Sequence, residues 1–355
     1  MRIRDFGVVL GHLPTGPNNT LTDVPGVRVG HATLISGETI RTGVTAIWPH
    51  QRHPLLEPVY AGMDALNGFG ELTCRSVIEE VGLLAGPIML TGTGSVGSVM
   101  AATTRYLAER HPAEAREMVP LPVVGECDDG FLHDHLTFAV DEEAARTALE
   151  SASEAPVPEG CVGGGTGMAL FGFKGGIGSA SRIVASEAGT WTVAVLVMTN
   201  FGTRQNLTVG GVSVGAVITD LLPERPISEG SCIGIVATDA PLIPNSLRRV
   251  AKRVGLGLAR TGSTAADGSG EIFLAFSTAH HLAGGAPSEL RHLDVLPEGG
   301  YGHGAISAIF TATVEAAEEA VLNALVAATT TQGRSGHTLH AIPHDRLRAA
   351  LAGAR

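Results

Sequence analysis

The hydrophobic positions of the chain fall into short apolar runs bounded by turn residues and longer segments with helical spacing. Runs of β-branched and apolar residues predict strands at 44–48, 192–199, 231–238 and 272–277. Segments rich in Ala, Leu, Glu or Arg, with apolar residues at helical spacing, predict helices at 72–84, 95–110, 141–151, 244–258 and 305–329. Strands interleaved with long helices indicate an α/β protein.

Two segments lack both patterns and are predicted to be exposed connectors. They are residues 150–160, which include Pro156 and Pro158, and residues 221–229, which end just before an apolar run. The second connector would present the bond between Gly230 and Ser231.

Composition narrows the class of protein without defining its chemistry. The 355 residues, 44% of them hydrophobic, suffice for a sizeable core in one large domain or two. The 47 glycines show no collagen period and indicate tight strand ends and close backbone contacts. A net charge of −11 argues against a nucleic-acid or anionic-membrane partner, because both select clustered Lys and Arg.

Location is predicted from the apolar runs, the start of the chain and the cysteines. The longest apolar runs are well below the roughly 20 residues of a bilayer span, and the N-terminal residues show no signal-peptide pattern. Cys74, Cys127, Cys161 and Cys232 show neither metal-ligand spacing nor a disulfide framework, so reduced thiols are expected. We therefore expect a cytoplasmic protein, with Cys232 a buried strand residue on the face opposite Ser231.

The junction between Gly230 and Ser231 carries the strongest chemical signal. A flexible glycine before a serine, at the start of an apolar strand, lets the serine oxygen attack the preceding carbonyl. Hydrolysis would leave Ser231 as a new amino terminus whose α-amino group, with a reference pKa of about 7.7–8.0, could act as its own base. Gly-Ser before a strand is also an ordinary turn, so the junction alone does not decide between the two.

Further motifs along the chain strengthen the catalytic interpretation. They occur at residues 18–31, 163–168, 173–182, 260–263 and 268–278. Together with the junction, the chain resembles the L-aminopeptidase/D-esterase-amidases and β-peptidyl aminopeptidases, which mature by one internal cleavage. The resemblance implies a four-layer αββα sandwich of the type shared with ornithine acetyltransferases. It implies one catalytic domain over 1–355, cut into fragments 1–230 and 231–355, and a homo-oligomer, a tetramer of cleaved heterodimers.

The resemblance also assigns catalytic residues around Ser231. Asn200 follows a predicted strand, where the family places an asparagine that donates to the oxyanion; Asn206, in the same loop, is a less favoured substitute. Ser269 and Glu271 match the family pair beside the nucleophile. Being two residues apart, they share a face of an extended segment and could position the Ser231 amine.

Substrate binding is assigned in the same way to Glu126 and Asp128. Glu126 corresponds to the family acid that holds the free amine of the substrate. Family members carry a non-acidic residue two positions later, whose backbone N–H contributes to the oxyanion site. Asp128 departs from that pattern, which leaves the backbone role open and puts the shape of the substrate side in doubt.

Two other kinds of site compete with this interpretation. Asp128, Asp129, His133, Asp134 and His135 are dense potential metal ligands, although the sequence has no His-Glu-x-x-His motif. The glycines at 163–167 suggest a phosphate loop, but Lys174 comes too late for one, and close backbone packing explains them better. No metal or other cofactor is expected.

The function expected is that of a self-processing aminopeptidase acting on short peptides, amides or esters. An acyltransferase of the ornithine-acetyltransferase type is an alternative, although that group has threonine at the cut. A second alternative is an inactive binding protein of the same fold, which the joint presence of Ser231, Asn200, Ser269 and Glu271 disfavours.

Overall fold

A computed structural model describes residues 1–227, 230–282, 290, 292–298 and 304–353. In chain order the strands are β1 (Arg28–Ser36), β2 (Ile40–Trp48), β3 (Val59–Ala65), β4 (Leu83–Leu84), β5 (Ile88–Gly92), β6 (Val123–Cys127), β7 (Ala169–Leu170), β8 (Phe173–Lys174), β9 (Gly176–Ser186), β10 (Gly189–Asn200), β11 (Ser231–Thr238), β12 (Gly270–Ser277), β13 (Thr331–Gln332) and β14 (Thr338–Leu339). The helices are α1 (Arg75–Glu80), α2 (Val96–Arg110), α3 (Pro112–Glu117), α4 (Glu142–Glu150), α5 (Val214–Val217), α6 (Pro244–Ala251), α7 (Val254–Arg260), α8 (Ala305–Ala327) and α9 (His344–Gly353).

Two sheets form the centre of the protein. The small sheet has the order β1-β2-β5-β6 and the large sheet the order β4-β3-β12-β11-β10-β9. Pairing is antiparallel except between β5 and β6 and between β11 and β12, which run parallel. The large sheet therefore combines strands that precede and follow the bond between Gly230 and Ser231.

Alternation along the strands builds three apolar layers. Ile233 and Ile235 of β11 pack between the two sheets, together with Leu90 and Val123 of the small sheet. The opposite face of the large sheet packs against α6, α7 and α8, and the outer face of the small sheet packs against α2 and α4. This order of layers, helices, sheet, sheet, helices, confirms the predicted αββα sandwich.

Local sequence explains several of the boundaries. Asp141 caps α4, its side chain accepting a hydrogen bond from the Ala144 N–H at 3.0 Å, and acidic residues fill the first turn. Pro244 occupies the first turn of α6, where its missing N–H costs nothing. In the described part of the chain, no helix combines the length and apolar composition needed to cross a bilayer.

Most predicted elements are confirmed, and two predicted helices are wrong in part. The segment 72–84 is helical only over Arg75–Glu80, because Cys74 (φ 63°) and Gly82 (φ 74°) adopt left-handed conformations and the chain then enters β4. The segment 244–258 forms two helices, α6 and α7, because Arg253 N–H bonds to the Val250 carbonyl, three residues back, and ends the first ladder.

The connectors are also confirmed where they are described. Most of residues 151–156 are exposed, whereas Val157 and Gly160 are buried. The second connector is partly to fully exposed over 221–227; its positions 228 and 229 lie outside the described residues.

A buried ion cluster joins segments from the two sides of the Gly230–Ser231 bond. The Arg182 side chain on β9 is fully buried and contacts Glu315 at 3.1 Å and Glu319 at 2.8 Å, both on α8. Arg4 adds a second contact to Glu319 at 2.7 Å. Because each buried charge has an opposite partner, the cluster is tolerated only while it is complete.

Arg182→Met is expected to lower the free energy of unfolding by about 3–5 kcal/mol, because it leaves the buried Glu315 and Glu319 short of positive charge. The control is Arg105→Met, which removes the exposed pair of Arg105 with Glu142 and is expected to cost about 1 kcal/mol or less. Urea titration of both variants measures the difference. Equal losses would contradict an essential role for the cluster.

Candidate active site

Strand register brings the central site residues together. Asn200, the last residue of β10, lies opposite Ser231, the first residue of β11, and Ser231 lies opposite Gly270, the first residue of β12. Three neighbouring strands therefore meet at one edge of the large sheet, with Ser231 in the middle. Two residues widely separated in sequence are fixed beside it by backbone hydrogen bonds.

Ser231 is 4% exposed and faces the layer between the sheets, as Ile233 does two positions later. Among the described residues its Oγ has no hydrogen-bond partner. The neighbouring Cys232 lies in the layer between the large sheet and its helices, which confirms its predicted place on the other face. The Ser231 hydroxyl is therefore sheltered but uncommitted.

The carbonyl before Ser231 is held by a backbone donor. The Gly270 N–H donates to the Gly230 carbonyl oxygen at 3.0 Å. A Cβ on Gly230 would lie 3.0 Å from both the Phe201 Cα and the Ser269 Oγ, so a larger residue would be crowded here. The Gly230 carbonyl is thus fixed and polarised by the same strand edge that presents the hydroxyl.

Ser269 and Glu271 form the predicted pair. The Ser269 hydroxyl donates to Glu271 Oε1, and both side chains are almost fully buried, at 2% and 0% exposed. Burial raises the pKa of Glu271, although the hydrogen bond from Ser269 opposes the shift. The pair lies beside the Gly230 backbone, on the side of the sheet away from the Ser231 side chain.

Asn200 is held by two hydrogen bonds of its amide. Its Oδ1 accepts from the Ala169 N–H at 2.9 Å, and its Nδ2 donates to the Asp128 carbonyl at 2.9 Å. The first contact fixes which end of the amide is the donor. One N–H of Nδ2 is left to serve an oxyanion, as the sequence predicts for Asn200.

Glu126 is the penultimate residue of β6 and is 5% exposed. Its Oε1 accepts from the Glu71 N–H at 2.9 Å, and its Oε2 accepts from the Thr93 hydroxyl. Burial raises the pKa of Glu126; these hydrogen bonds oppose the shift, and the charge of Asp128 adds to it. The carboxylate is therefore rigid, desolvated and suited to an opposite charge.

The two acids after β6 behave differently. Asp128 is exposed, and its Oδ1 accepts from the Gly130 N–H at 2.8 Å, while its carbonyl serves Asn200. The role of its N–H in an oxyanion site stays a prediction. Asp129 is 2% exposed, and burial raises the pKa of its carboxyl to about 7.

Two cavities meet at Gly230. The Ser231 cavity, of about 670 Å³, contains Ser231, Glu126, Asp128 and Arg334 in its lining. The smaller Ser269 cavity, of about 250 Å³, contains Ser269, Glu271, Asn206 and Arg204 in its lining. Asn200, Gly230, Pro226 and Ile227 line both. Pro226, Ile227 and Gly230 therefore lie between the Ser231 hydroxyl and the Ser269 and Glu271 pair.

The competing metal site does not assemble in the residues that the structure describes. His133 Nδ1 lies 3.3 Å from the Thr39 carbonyl, a structural contact, and Asp128 caps its own turn. Three potential ligands do converge elsewhere, at His53, His111 and Glu114. There the His53 Nδ1 accepts from the Leu55 and Leu56 N–H groups, so Nε2 carries the proton rather than a free lone pair.

The glycine segment 163–167 packs tightly between the sheets. A Cβ on Gly164 would come within 2.7 Å of the Leu90 carbonyl, and one on Gly165 within 2.5 Å of the Ile177 N. Lys174 is fully buried and donates to the carbonyls of Gly165, at 3.2 Å, and Met168, at 2.8 Å. Close packing is thus the role of these glycines, which is the role that the sequence favours over a phosphate loop.

Sequence reasoning missed the residues that hold the site in place. Thr93 and the Glu71 N–H fix Glu126, and the Ala169 N–H fixes Asn200. Arg204, 7% exposed, donates to the carbonyls of Ile218, Asp220 and Leu221 and anchors the start of the connector. None of these contacts leaves a sequence motif, because each joins distant segments.

A family model described as Peptidase family S58 matches residues 19–339 of the chain. The chain belongs to Peptidase family S58. The match confirms the resemblance drawn from the motifs. It covers the junction, Glu126, Asn200 and the segment with Ser269 and Glu271.

Individual relatives match this chain over at least nine tenths of their length. The β-peptidyl aminopeptidase BapA of Sphingosinicella microcystinivorans is 42% identical, over 99% of this chain and 91% of that protein. The structure of a β-aminopeptidase from Burkholderia sp. has a TM-score of 0.92 at 42% identity and covers 99% of both chains.

The L-aminopeptidase D-Ala-esterase/amidase of Ochrobactrum anthropi has a TM-score of 0.91 at 39% identity, covering 99% of this chain and 98% of that one. Its structure is described as a prototype for the serine aminopeptidases and a variant of the Ntn hydrolase fold. This S58 chain accordingly has the Ntn hydrolase fold and is a serine-type aminopeptidase.

Asp129 gives a test of the electrostatics behind the site. Its folded-state pKa, about 7, lies above the ordinary value near 4, so the folded protein binds the proton more tightly and loses stability as pH rises from about 4 to 7. Asp129→Asn removes that penalty. We expect it to raise the free energy of unfolding by about 1–3 kcal/mol at pH 8 and to change it little at pH 4.

Urea titrations at pH 4 and pH 8 measure the effect. The control is Glu38→Gln, an exposed carboxyl in the turn between β1 and β2, for which no such gain is expected. A gain that is the same at both pH values would contradict the assignment to the Asp129 proton.

Proposed function

We propose that this S58 peptidase cuts itself between Gly230 and Ser231 and then uses Ser231 as an amino-terminal nucleophile on short peptides, amides or esters with a free amine. The observation that carries the proposal is the register of Asn200, Ser231 and Gly270 at one sheet edge, next to a cavity that also contains Glu126.

The self-cleavage step follows from the contacts of the junction. Ser231 Oγ attacks the Gly230 carbonyl carbon, and the Gly270 N–H, at 3.0 Å from the carbonyl oxygen, stabilises the negative charge that develops there. The C–N bond then breaks, the serine nitrogen takes the hydroxyl proton, and an ester remains. Water hydrolyses the ester and leaves a carboxylate on Gly230 and an amine on Ser231.

Cleavage would place the new amine of Ser231 next to the Ser269 and Glu271 pair. Gly230 separates the Ser231 cavity from the Ser269 cavity, so loss of this peptide bond brings the α-amine into contact with the Ser269 and Glu271 side. The neutral amine takes the proton of Ser231 Oγ during attack on a substrate, and the Glu271 carboxylate orients the ammonium that results. Asn200 Nδ2 donates to the oxyanion.

Glu126 supplies selection for the substrate amine. It lines the cavity of Ser231, and its two anchoring hydrogen bonds hold the carboxylate in one place. Relatives at 42% identity are named β-aminopeptidases, so we extend the proposal to β-aminoacyl as well as α-aminoacyl substrates. A threonine-dependent acetyl transfer to an amino-acid acceptor is not supported by Ser231.

The proposal includes the assembly and location implied by the family resemblance. We expect a homo-oligomer of cleaved heterodimers, a tetramer, in the cytoplasm, with neither nucleic acid nor membrane as partner. Free thiols at Cys74, Cys127, Cys161 and Cys232 and a net charge of −11 support this expectation.

Purified protein is expected to contain two fragments, 1–230 and 231–355, that co-elute in one particle. Ser231→Ala is expected to remain one chain and to lose hydrolysis of amino-acid p-nitroanilides, because both steps need the Oγ. Intact-mass spectrometry and a p-nitroanilide assay measure the two effects. The control is Ser98→Ala, on the exposed face of α2, which is expected to be cut and active.

Two results would contradict this part of the proposal. One is full activity in a wild-type chain that stays uncut. The other is cleavage at the same bond in the Ser231→Ala variant.

Glu126→Gln is expected to raise KM for free-amine substrates and lower kcat/KM about 10- to 100-fold, because a desolvated charge pair is lost. Glutamine can still accept from the Glu71 N–H and contact Thr93, so self-cleavage is expected to proceed. Steady-state kinetics on a peptide and its N-acetylated form measure the effect; the parent is expected to prefer the free amine strongly.

The control for this variant is Glu38→Gln, which removes an exposed carboxylate in the turn between β1 and β2 and is expected to leave the kinetics unchanged. Equal turnover of free and acetylated peptides by the parent would make the protein a general amidase. A Glu126→Gln variant that never matures would assign Glu126 to processing or folding.

A further inference from the structure

An arginine that has no ion-pair partner among the described residues lies in the Ser231 cavity. Arg334 contributes to the lining of this cavity together with Ser231 and Glu126. Among the described residues its side chain takes part in no ion pair, and its Nε is buried without a hydrogen-bond partner. By contrast, the surface arginines Arg105 and Arg110 pair with glutamates at 2.8 and 2.6 Å. A guanidinium left free inside a cavity of an acidic protein points to an anionic ligand.

The backbone of Arg334 is rigid. Its N–H donates to the Leu132 carbonyl at 2.8 Å, and its carbonyl accepts from the His337 N–H at 3.0 Å. The His337 ring in turn stacks on Phe131, which also lines the cavity, with ring centroids 4.8 Å apart. The arginine is therefore presented from a fixed turn between β13 and β14, so less freedom is lost when it binds a ligand.

The same cavity carries negative charge from a different segment. Glu126, Glu71 and Asp128 all line it. In the described residues no Arg334 nitrogen comes within 4.0 Å of any of these carboxylates. Opposite charges kept apart in one cavity of about 670 Å³ fit a ligand that has an ammonium at one end and a carboxylate at the other.

We propose that Arg334 binds the C-terminal carboxylate of the substrate, so that the preferred substrates are dipeptides and tripeptides with both ends free. This rests on the proposed function, in which Glu126 holds the amine and Ser231 attacks between the two charged ends. A guanidinium matches a carboxylate with two parallel N–H donors and stays charged over the whole working pH range. An extended residue spans about 3.5 Å, so a dipeptide and a tripeptide place the carboxylate at two different distances from the amine.

A second arginine sets the matched control. Arg225 also lines the Ser231 cavity and lies 5.5 Å from the Phe131 ring. It belongs to the connector that ends at Gly230, so cleavage frees the end of its segment, whereas Arg334 keeps its backbone bonds. Arg225→Gln removes the same charge from the same cavity without touching Arg334.

The experiment uses mature protein and five substrates that share one N-terminal residue: a dipeptide and a tripeptide, each as free acid and as C-terminal amide, and a p-nitroanilide. The parent is expected to have a KM at least about 10-fold lower for a free acid than for its amide at one of the two lengths. Arg334→Gln is expected to remove that difference and to leave kcat/KM for amides and p-nitroanilide within about 2-fold. Arg334→Lys is expected to restore part of it, and Arg225→Gln to preserve it.

Three results would overturn the proposal: a parent that treats acid and amide alike at both lengths, an Arg334→Gln variant that affects acids and amides equally, or discrimination that is lost with Arg225→Gln and kept with Arg334→Gln. If Arg334→Gln fails to fold, the acid and amide comparison on the parent, repeated with Arg334→Lys, still decides. Failure of the proposed function is distinct, because the parent would then not hydrolyse the p-nitroanilide.

Discussion

The site depends on one constraint, that Ser231 is the first residue of a central strand paired on both sides. β10 fixes it from one side through Asn200, and β12 fixes it from the other through Gly270. Chain termini usually fray, because few contacts hold them. A terminus created at Ser231 would instead keep ladder hydrogen bonds to two strands, so breaking the bond to Gly230 need not move the nucleophile. Those strands come from both sides of the junction, which explains how one site could survive a cut in its own chain.

Acids buried around this edge share a common electrostatic environment. Burial raises the pKa of Glu126, Glu271 and Asp129, and the first two also accept hydrogen bonds from hydroxyl groups. Carboxyls held this way favour a nearby positive charge, because an ammonium offsets the cost of their desolvation. Two amines are available in the proposed cycle, that of Ser231 and that of the substrate. Glu126 lines the Ser231 cavity and Glu271 lines the Ser269 cavity, so each amine has its own carboxylate partner.

The sequence predicted the class of enzyme and its candidate site residues better than it predicted the contacts that hold those residues in place. Ser231, Asn200, Ser269 and Glu271 were predicted as site residues because each matches a local family motif beside a strand end. The alternation of strands and helices predicted an α/β protein, and the family resemblance narrowed it to the αββα sandwich. Thr93, Ala169 and Arg334 could not be found in this way. Their roles come from contacts with residues 31 or more positions away, such as Ala169 with Asn200, or from sharing a cavity. The division of 244–258 into two helices was hidden for a related reason, since helical spacing continues across the break while the hydrogen bonds do not.

The contacts of Gly230 in the folded chain bear on the order of the two proposed reactions, self-cleavage first and peptide hydrolysis second. Its carbonyl needs the Gly270 N–H, and the space at its Cα is limited by Phe201 and Ser269, so the residue before the serine must be small. While this residue is in place, it separates the Ser231 hydroxyl from the Ser269 and Glu271 pair. Arg204 donates to the carbonyls of Ile218, Asp220 and Leu221, and the Glu224 carboxylate accepts from the Thr338 N–H at 3.1 Å, so the chain before the junction is anchored at both places. In the proposed scheme, the uncut chain holds the junction ready for cleavage and, by the same contacts, keeps the hydroxyl apart from the pair that would orient its amine. Cleavage would then be a physical precondition for the peptidase site, and the anchored connector would limit how far the chain must rearrange to form it.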